Sequence, residues 1–337
     1  MMKLYKILFV NSMILGTLIA TSAYSWFGMW MGLEINMLSI IPLMSSSKNM
    51  FSSEASLKYF ITQAMASLIL LLSINLMLIS AEFITPMVNS ALEMLLNSAL
   101  LTKLGAAPFH YWFPEVMEGL DWFNCSILLT WQKIAPMCLI MTSFYSTTFM
   151  IFIIMASLIV SILMSLNQIS LRKILAFSSI NHIAWMLSAM ITSISVWLIY
   201  FLIYAFITLN ITYIFNYGKL LFIHQLPAFI NQSKIVKISM LINFLSLGGL
   251  PPLLGFLPKW LTINWLVIQG MPILAFFLIV LTLVMLFVYV RLIMSTILIQ
   301  HSETKLIGYK MSAFSMFMYN FILIFSLMGC TLIFNLI

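Results

Sequence analysis

Charge is scarce in this sequence: Asp, Glu, Lys and Arg together make up 7% of 337 residues, against 63% that are hydrophobic. That balance excludes a soluble fold, because a chain of this length has no interior large enough to hide so much apolar surface. Cysteine is equally sparse. Cys125, Cys138 and Cys330 are odd in number and form no C-x-x-C pair, and the first two lie 13 residues apart on one expected helix. This pattern argues against a disulfide framework and against a metal centre. No flavin, nucleotide or iron–sulfur motif occurs, and no polar stretch is long enough for a soluble domain.

What the sequence has is a succession of apolar windows, each long enough to cross a bilayer at about 20 residues and about 1.5 Å of rise per residue. They do not alternate in and out as barrel strands do, so helices are the spanning solution that satisfies the backbone. The expectation is an all-α membrane protein of eleven transmembrane helices, at 4–23, 25–44, 56–80, 86–118, 121–145, 148–168, 171–192, 195–223, 236–269, 272–299 and 312–336. The first window is not read as a cleaved signal peptide. Lys3 and Lys6 precede it and small residues end it, but its apolar part is long and the next helix follows almost at once.

Loop charge sets the orientation. With these spans Lys3, Lys6, Lys48, Lys58, Arg172, Lys173, Lys219, Lys234, Lys237, Lys305 and Lys310 all fall on the side of the N-terminus, and the opposite side has neither Lys nor Arg. The positive-inside rule then puts the N-terminus in the cytoplasm, or in the matrix of a mitochondrion, and an odd helix count puts Ile337 on the far side. The net charge of +7 is therefore topology, and it implies no nucleic-acid partner.

Against this background, Glu34, Lys103, Lys133 and Lys259 stand out, because they sit inside spanning segments. An ionisable group at the centre of such a helix costs roughly 2.5–3.5 kcal/mol on insertion scales, so it is read as functional. Glu34 is ten residues from either end of its helix, beyond the reach of a short side chain to water. His182, within Ser178-Ser179-Ile180-Asn181-His182, adds a group that suits a proton relay. Pro136 leaves the carbonyl of Gln132 without its helical donor beside Lys133, where a water can lodge. Arg291 is placed to snorkel and Glu93 lies early in its helix, so both stay outside the site.

The two longest windows carry a repeat. Leu104-Gly105-Ala106-Ala107-Pro108 with Phe113 lines up with Leu247-Gly248-Gly249-Leu250-Pro251 with Phe256, at an offset of 143 residues. Five helices on, the second segment crosses in the opposite direction. The expected organisation is a first five-helix bundle at 1–145, a second, inverted bundle at 146–300 and a C-terminal helix at 301–337. Interrupted spans at corresponding positions point to a transport site, and Lys103 and Lys259 lie on them.

Leu101-Thr102-Lys103-Leu104-Gly105-Ala106-Ala107-Pro108-Phe109-His110, Trp131-Gln132-Lys133, Leu171-Arg172-Lys173-Ile174-Leu175-Ala176 with Ser178-Ser179, and Gly248-Gly249-Leu250-Pro251-Pro252 together resemble the antiporter-like membrane subunits of mitochondrial NADH:ubiquinone oxidoreductase, respiratory complex I, in their short animal form. The likeness covers the whole chain, and the richness in Met, Ile, Phe and Asn is similar to that of insect mitochondrial products. It implies an inner-membrane, multi-pass subunit that moves protons. Other membrane-arm and accessory subunits and lipids would be its partners, with NADH and ubiquinone used by the complex and no cofactor bound by this chain. Residue by residue it implies that Glu34 is the carboxylate of the first bundle, Lys103 its partner, Lys133 a bridging lysine, His182 a hydration-path residue and Lys259 the lysine of the second broken helix. Two other readings of the same residues remain at this point. One is a stand-alone proton/cation antiporter, the other a structural anchor whose charges are frozen ion pairs.

Overall fold

Apolar runs without alternation can satisfy their backbone in hydrocarbon only by coiling, and most of the described residues are helical. The structure, a computed structural model, describes residues 4–298 apart from 47–48, 81–85, 144–145, 231–233 and 252. The expected helix 312–336, Cys330, Lys3, Lys48, Lys305 and Lys310 lie outside the described residues. Among the described residues eight helices are long and apolar enough to cross a membrane. The chain divides into two compact units, residues 1–157 and 158–337.

The first unit contains α1 (Leu4–Ser22), α2 (Trp26–Met44), α3 (Met50–Ser80), α4 (Pro86–Leu104), α5 (Trp112–Gly119), α6 (Trp122–Leu129) and α7 (Trp131–Thr142), and α8 (Thr147–Ser165) runs across its boundary. Ser25 caps α2, its hydroxyl accepting from the Gly28 N–H at 3.2 Å. Gly16 lets α1 close onto α2, since a Cβ there would come within 2.8 Å of the Asn36 backbone nitrogen. α3 begins six residues earlier than the hydropathy window, because the helix continues through the polar Ser52, Ser53 and Glu54 beyond the apolar run. At 31 residues it is roughly 46 Å long, more than the bilayer core requires. Lys58 near its start binds both Glu54 and Glu115 at 3.0 Å, which ties α5 to α3.

The expected helix 86–118 is two helices, and the reason is local. Gly105 takes a left-handed φ of +75°. Its N–H donates to Thr102 O at 3.1 Å and the Ala106 N–H to Leu101 O at 3.1 Å, a Schellman closure of α4. Pro108 follows and cannot extend a helix. Helix 121–145 is interrupted at Thr130, whose φ and ψ are −116° and −71°, two residues before the carbonyl that Pro136 leaves unpaired.

The second unit contains α9 (Leu171–Thr192), α10 (Ile194–Gly218), a short 3-10 turn, α11 (Leu226–Ile230), α12 (Lys234–Gly248), α13 (Phe256–Ile268) and α14 (Pro272–Leu298). α9 is buried almost all round, so its polar residues face protein. α10 stops at Gly218, five residues short of the expected 223, because Lys219 adopts a left-handed φ of 49° and the Leu220 N–H closes back to Phe215 O at 3.1 Å. The expected helix 236–269 is broken like the first. Here Gly249 is left-handed, φ +74°, with its N–H on Ser246 O and the Leu250 N–H on Leu245 O. The two closures are therefore one residue out of the register in which Gly105 aligns with Gly248, and adjacent glycines hid which of them turns.

Candidate functional site

In the first unit the site is built where α2, α3, α4 and α7 meet. Lys103 occupies the last turn of α4 and is buried. It lines a cavity of about 10 Å³, measured as space open to the centre of a water molecule, with Asn36, Tyr59, Gln63, Gln132 and Pro136 among its walls. That is about the room one water needs. Lys103 makes no hydrogen bond to another described residue, whereas the Glu34 carboxylate acts on it electrostatically without an ion-pair contact. Glu34 is half-buried on α2 and its Oε1 is buried with no hydrogen-bond partner.

The cavity wall is itself organised. Asn36 Nδ2 donates to Gln132 Oε1 and Gln132 Nε2 donates to Asn36 Oδ1, both at 2.9 Å. The Tyr59 hydroxyl donates to the same Gln132 Oε1 at 3.4 Å. Trp112 packs edge-on against Tyr59 and donates its Nε1–H to Thr102 O at 3.0 Å, one of the carbonyls exposed by the break. Lys133, 1% exposed, follows Gln132 on α7, and its Nζ lies 5.9 Å from the Phe113 ring centroid. Phe113 in turn sits beneath Gly105. The break thus lies beside both buried lysines described in this unit, Lys103 and Lys133.

In the second unit Lys259 starts from the first turn of α13 and reaches back across the break. Its Nζ donates to Gly248 O at 2.8 Å and to Leu247 O at 3.4 Å, the orphan carbonyls at the end of α12. It also lies 5.6 Å from the Trp185 ring centroid. His182, three residues before Trp185 on α9, is buried and shares a 3.0 Å hydrogen bond between its Nδ1 and the Tyr200 hydroxyl. Tyr204, one turn along α10, brings its ring within 5.0 Å of the imidazole. Arg291 is exposed on α14 and Glu93 is half-buried on α4.

The residues singled out from sequence thus gather in two groups, Glu34, Lys103 and Lys133 in one unit, His182 and Lys259 in the other. Sequence reading missed the groups that hold them: Asn36, Tyr59 and Gln63 in the first, Trp185, Tyr200 and Tyr204 in the second. A signal existed, since Tyr59 and Gln63, and Tyr200 and Tyr204, each lie one helical turn apart within apolar runs.

Residues 23–286 match the NADH:quinone oxidoreductase/Mrp antiporter transmembrane family. A relative in Anopheles gambiae described as NADH-ubiquinone oxidoreductase chain 2 is 46% identical over 340 residues, covering 99% of each chain. The chain belongs to the NADH:quinone oxidoreductase/Mrp antiporter family, in its chain 2 branch. Another chain 2 member, from Locusta migratoria, is 42% identical over 89% of this chain and 87% of that one. The family fold also appears in respiratory complex I of Thermus thermophilus with bound aureothin, where a chain superposes with a TM-score of 0.86 at 23% identity, covering 97% of this chain and 79% of that one. Both breaks and the buried lysines Lys103, Lys133 and Lys259 lie within the matched residues of this antiporter-like family.

Proposed function

We propose that the chain is a core membrane subunit of the proton-pumping NADH:ubiquinone oxidoreductase of the mitochondrial inner membrane, and that it moves protons through Glu34, Lys103, Lys133, His182 and Lys259. The observation that carries this reading is the pair of broken helices with a buried amine at each break, one lining a polar cavity and the other on exposed helix carbonyls. Membership of the chain 2 branch over nearly the full length of its relative supports a subunit rather than a stand-alone antiporter.

In this reading Lys103 holds its proton while Glu34 is near and gives it up when the carboxylate is drawn away, because a neighbouring anion favours the charged amine. Lys133, His182 and Lys259 are successive stations, and a change of charge at one biases the next. The energy comes from NADH oxidation and quinone reduction in other subunits. The arrangement has eleven spans in two inverted five-helix bundles plus a C-terminal helix, the N-terminus in the matrix and the C-terminus in the intermembrane space, and it accounts for the loop charges. Its neighbours are the other membrane-arm and accessory subunits and the lipids.

The test is Lys103→Met and Glu34→Gln in a genetically tractable homologue, measuring protons moved per NADH oxidised and complex assembly together. A fall in the ratio in an assembled complex supports the pathway; an unchanged ratio and rate removes these residues from it. Normal pumping after paired apolar replacement of Glu34 and Lys103 returns the chain to the role of an anchor.

A further inference from the structure

Trp185 is 1% exposed and is the shared neighbour of the two groups in the second unit. The Lys259 ammonium lies 5.6 Å from its ring centroid. On α10 the Tyr200 ring stacks on it at 6.4 Å and 18°, and the Tyr200 hydroxyl is bound to His182 Nδ1 at 3.0 Å. A route from His182 and Tyr200 to Lys259 meets the indole, whose carbon faces neither accept nor pass on a proton. Its Nε1–H, the one polar atom it has, is buried and makes no hydrogen bond.

We infer that Trp185 closes the route between His182 and Lys259 and opens it when Lys259 gives up its charge. This rests on the proton-translocating reading above. Two interactions of opposite preference act on the same ring. The charged amine is attracted to the indole face, which holds the ring as observed. The neutral amine loses that attraction and gains a lone pair, so it becomes an acceptor for the orphan Nε1–H, which the ammonium is not. The ring therefore has two arrangements, and the protonation of Lys259 selects between them. With the ring face toward Lys259 the amine keeps its proton on the Gly248 and Leu247 carbonyls. After the proton has left for the next station, the indole turns edge-on and a new proton can arrive from the Tyr200 and His182 side. Trp185 is a positioning residue in this scheme, since the proton never resides on it.

The experiment uses an intact homologous complex that carries the same Lys, Trp, Tyr and His, reconstituted in vesicles. Two quantities are read: protons moved per NADH oxidised, and passive proton flux under an imposed potential without NADH. Trp185→Leu removes the ring, and the expected result is a several-fold rise in passive flux with a lower pumping ratio. Trp185→Phe keeps a ring face but lacks the N–H. It is expected to hold passive flux near the wild-type value while pumping turns over several-fold more slowly. An assembled Leu variant with wild-type flux and ratio overturns the inference. If the Leu variant does not assemble, the Phe variant decides, and wild-type turnover in it overturns the inference as well. Lys259→Met separates the two levels. Normal pumping there removes the proton-translocating reading itself, whereas lost pumping there, with both Trp185 variants behaving as wild type, removes only the role of Trp185.

Discussion

At the end of α4 and at the end of α12 the chain uses the same closure, a left-handed glycine returning two N–H groups to the last turn, but the amine reaches each break from a different side. Lys103 belongs to the helix that ends, faces a small polar cavity and is balanced by Glu34 at a distance. Lys259 belongs to the helix that begins and is fixed on two carbonyls of the preceding one. In the offset of 143 the counterparts of these lysines are Ser246 and Val116, so the amines are not repeat equivalents although the breaks are. One amine is balanced by a carboxylate side chain, the other by the carbonyls of a helix end. Under the proposed function this makes the first unit the place where a signal changes the local charge, and the second the place where a proton is held between fixed dipoles.

The largest expected effects come from removing the amines, and they separate the two units. Lys103→Met deletes a charge that makes no hydrogen bond, so pumping falls while the thermal stability of the complex stays close to wild type. Lys259→Met also strips the Gly248 and Leu247 carbonyls of their donor. Hydrogen bonds to charged groups are worth about 1.5–3 kcal/mol, so this variant loses stability as well as pumping. Thermal melting of the two complexes side by side checks the contrast; equal stability losses would erase it.

Next in size is the amide pair that walls the first cavity. Gln132→Leu alone leaves the buried Asn36 amide without its partner, and Asn36→Leu leaves the half-buried Gln132 amide half-satisfied, at a cost of about 1–3 kcal/mol at most. The double variant is expected to recover part of that loss, because neither amide is then stranded. A double-mutant cycle on stability reads the coupling, and strict additivity would show that the pair does not act as a unit. Among the described residues the second break has no such pair, and Asn243 there donates to Ser239 O within its own helix at 2.8 Å.

These predictions rest unevenly on the sequence. The breaks were legible because Gly and Pro interrupt apolar runs, and the lysines because charge is scarce in them. The side from which an amine approaches was not, since it depends on how a long flexible chain folds back over a turn. Gly248-Gly249 offered two candidates for one left-handed position, and the backbone φ and the closing hydrogen bonds assign it to Gly249. Thr130 was missed as a point of interruption because a β-branched residue in an apolar helix gives no signal. The spans were easy to see, and their ends were harder: α3 starts at Met50 and α10 stops at Gly218, where polar continuation and a Schellman closure override hydropathy.

The glycines sharpen the comparison further. Gly105→Ala and Gly249→Ala each force a side chain into left-handed backbone, at roughly 1–2 kcal/mol. A Cβ at 105 would come to 3.2 Å from the Phe113 Cβ, and one at 249 to 2.7 Å from the Lys259 Cδ and 2.9 Å from its Nζ. The first substitution presses on a packed ring and the second on the functional amine. Similar losses of stability are expected, with a lower pumping ratio in Gly249→Ala than in Gly105→Ala. Proton-to-NADH ratios in the assembled complexes check this, and the opposite order would mean that the Lys259 contact with the helix end is incidental.

The smallest effect belongs to Tyr59→Phe. Its hydroxyl makes a long bond of 3.4 Å to a Gln132 oxygen that already accepts from Asn36 at 2.9 Å, so the lost hydrogen bond is worth about 0.5 kcal/mol or less. The ring keeps its edge-on packing against Trp112, so the shape of the break survives. What changes is the number of polar groups around the cavity that Lys103 lines. If water there carries the proton between Lys103 and the neighbourhood of Lys133, removing one hydroxyl slows turnover while leaving stability within error. If Tyr59 only packs, turnover is unchanged too. A rate measurement at constant stability therefore separates a wet first site from a dry one, which is the property that would distinguish it most sharply from the carbonyl-bound amine of the second.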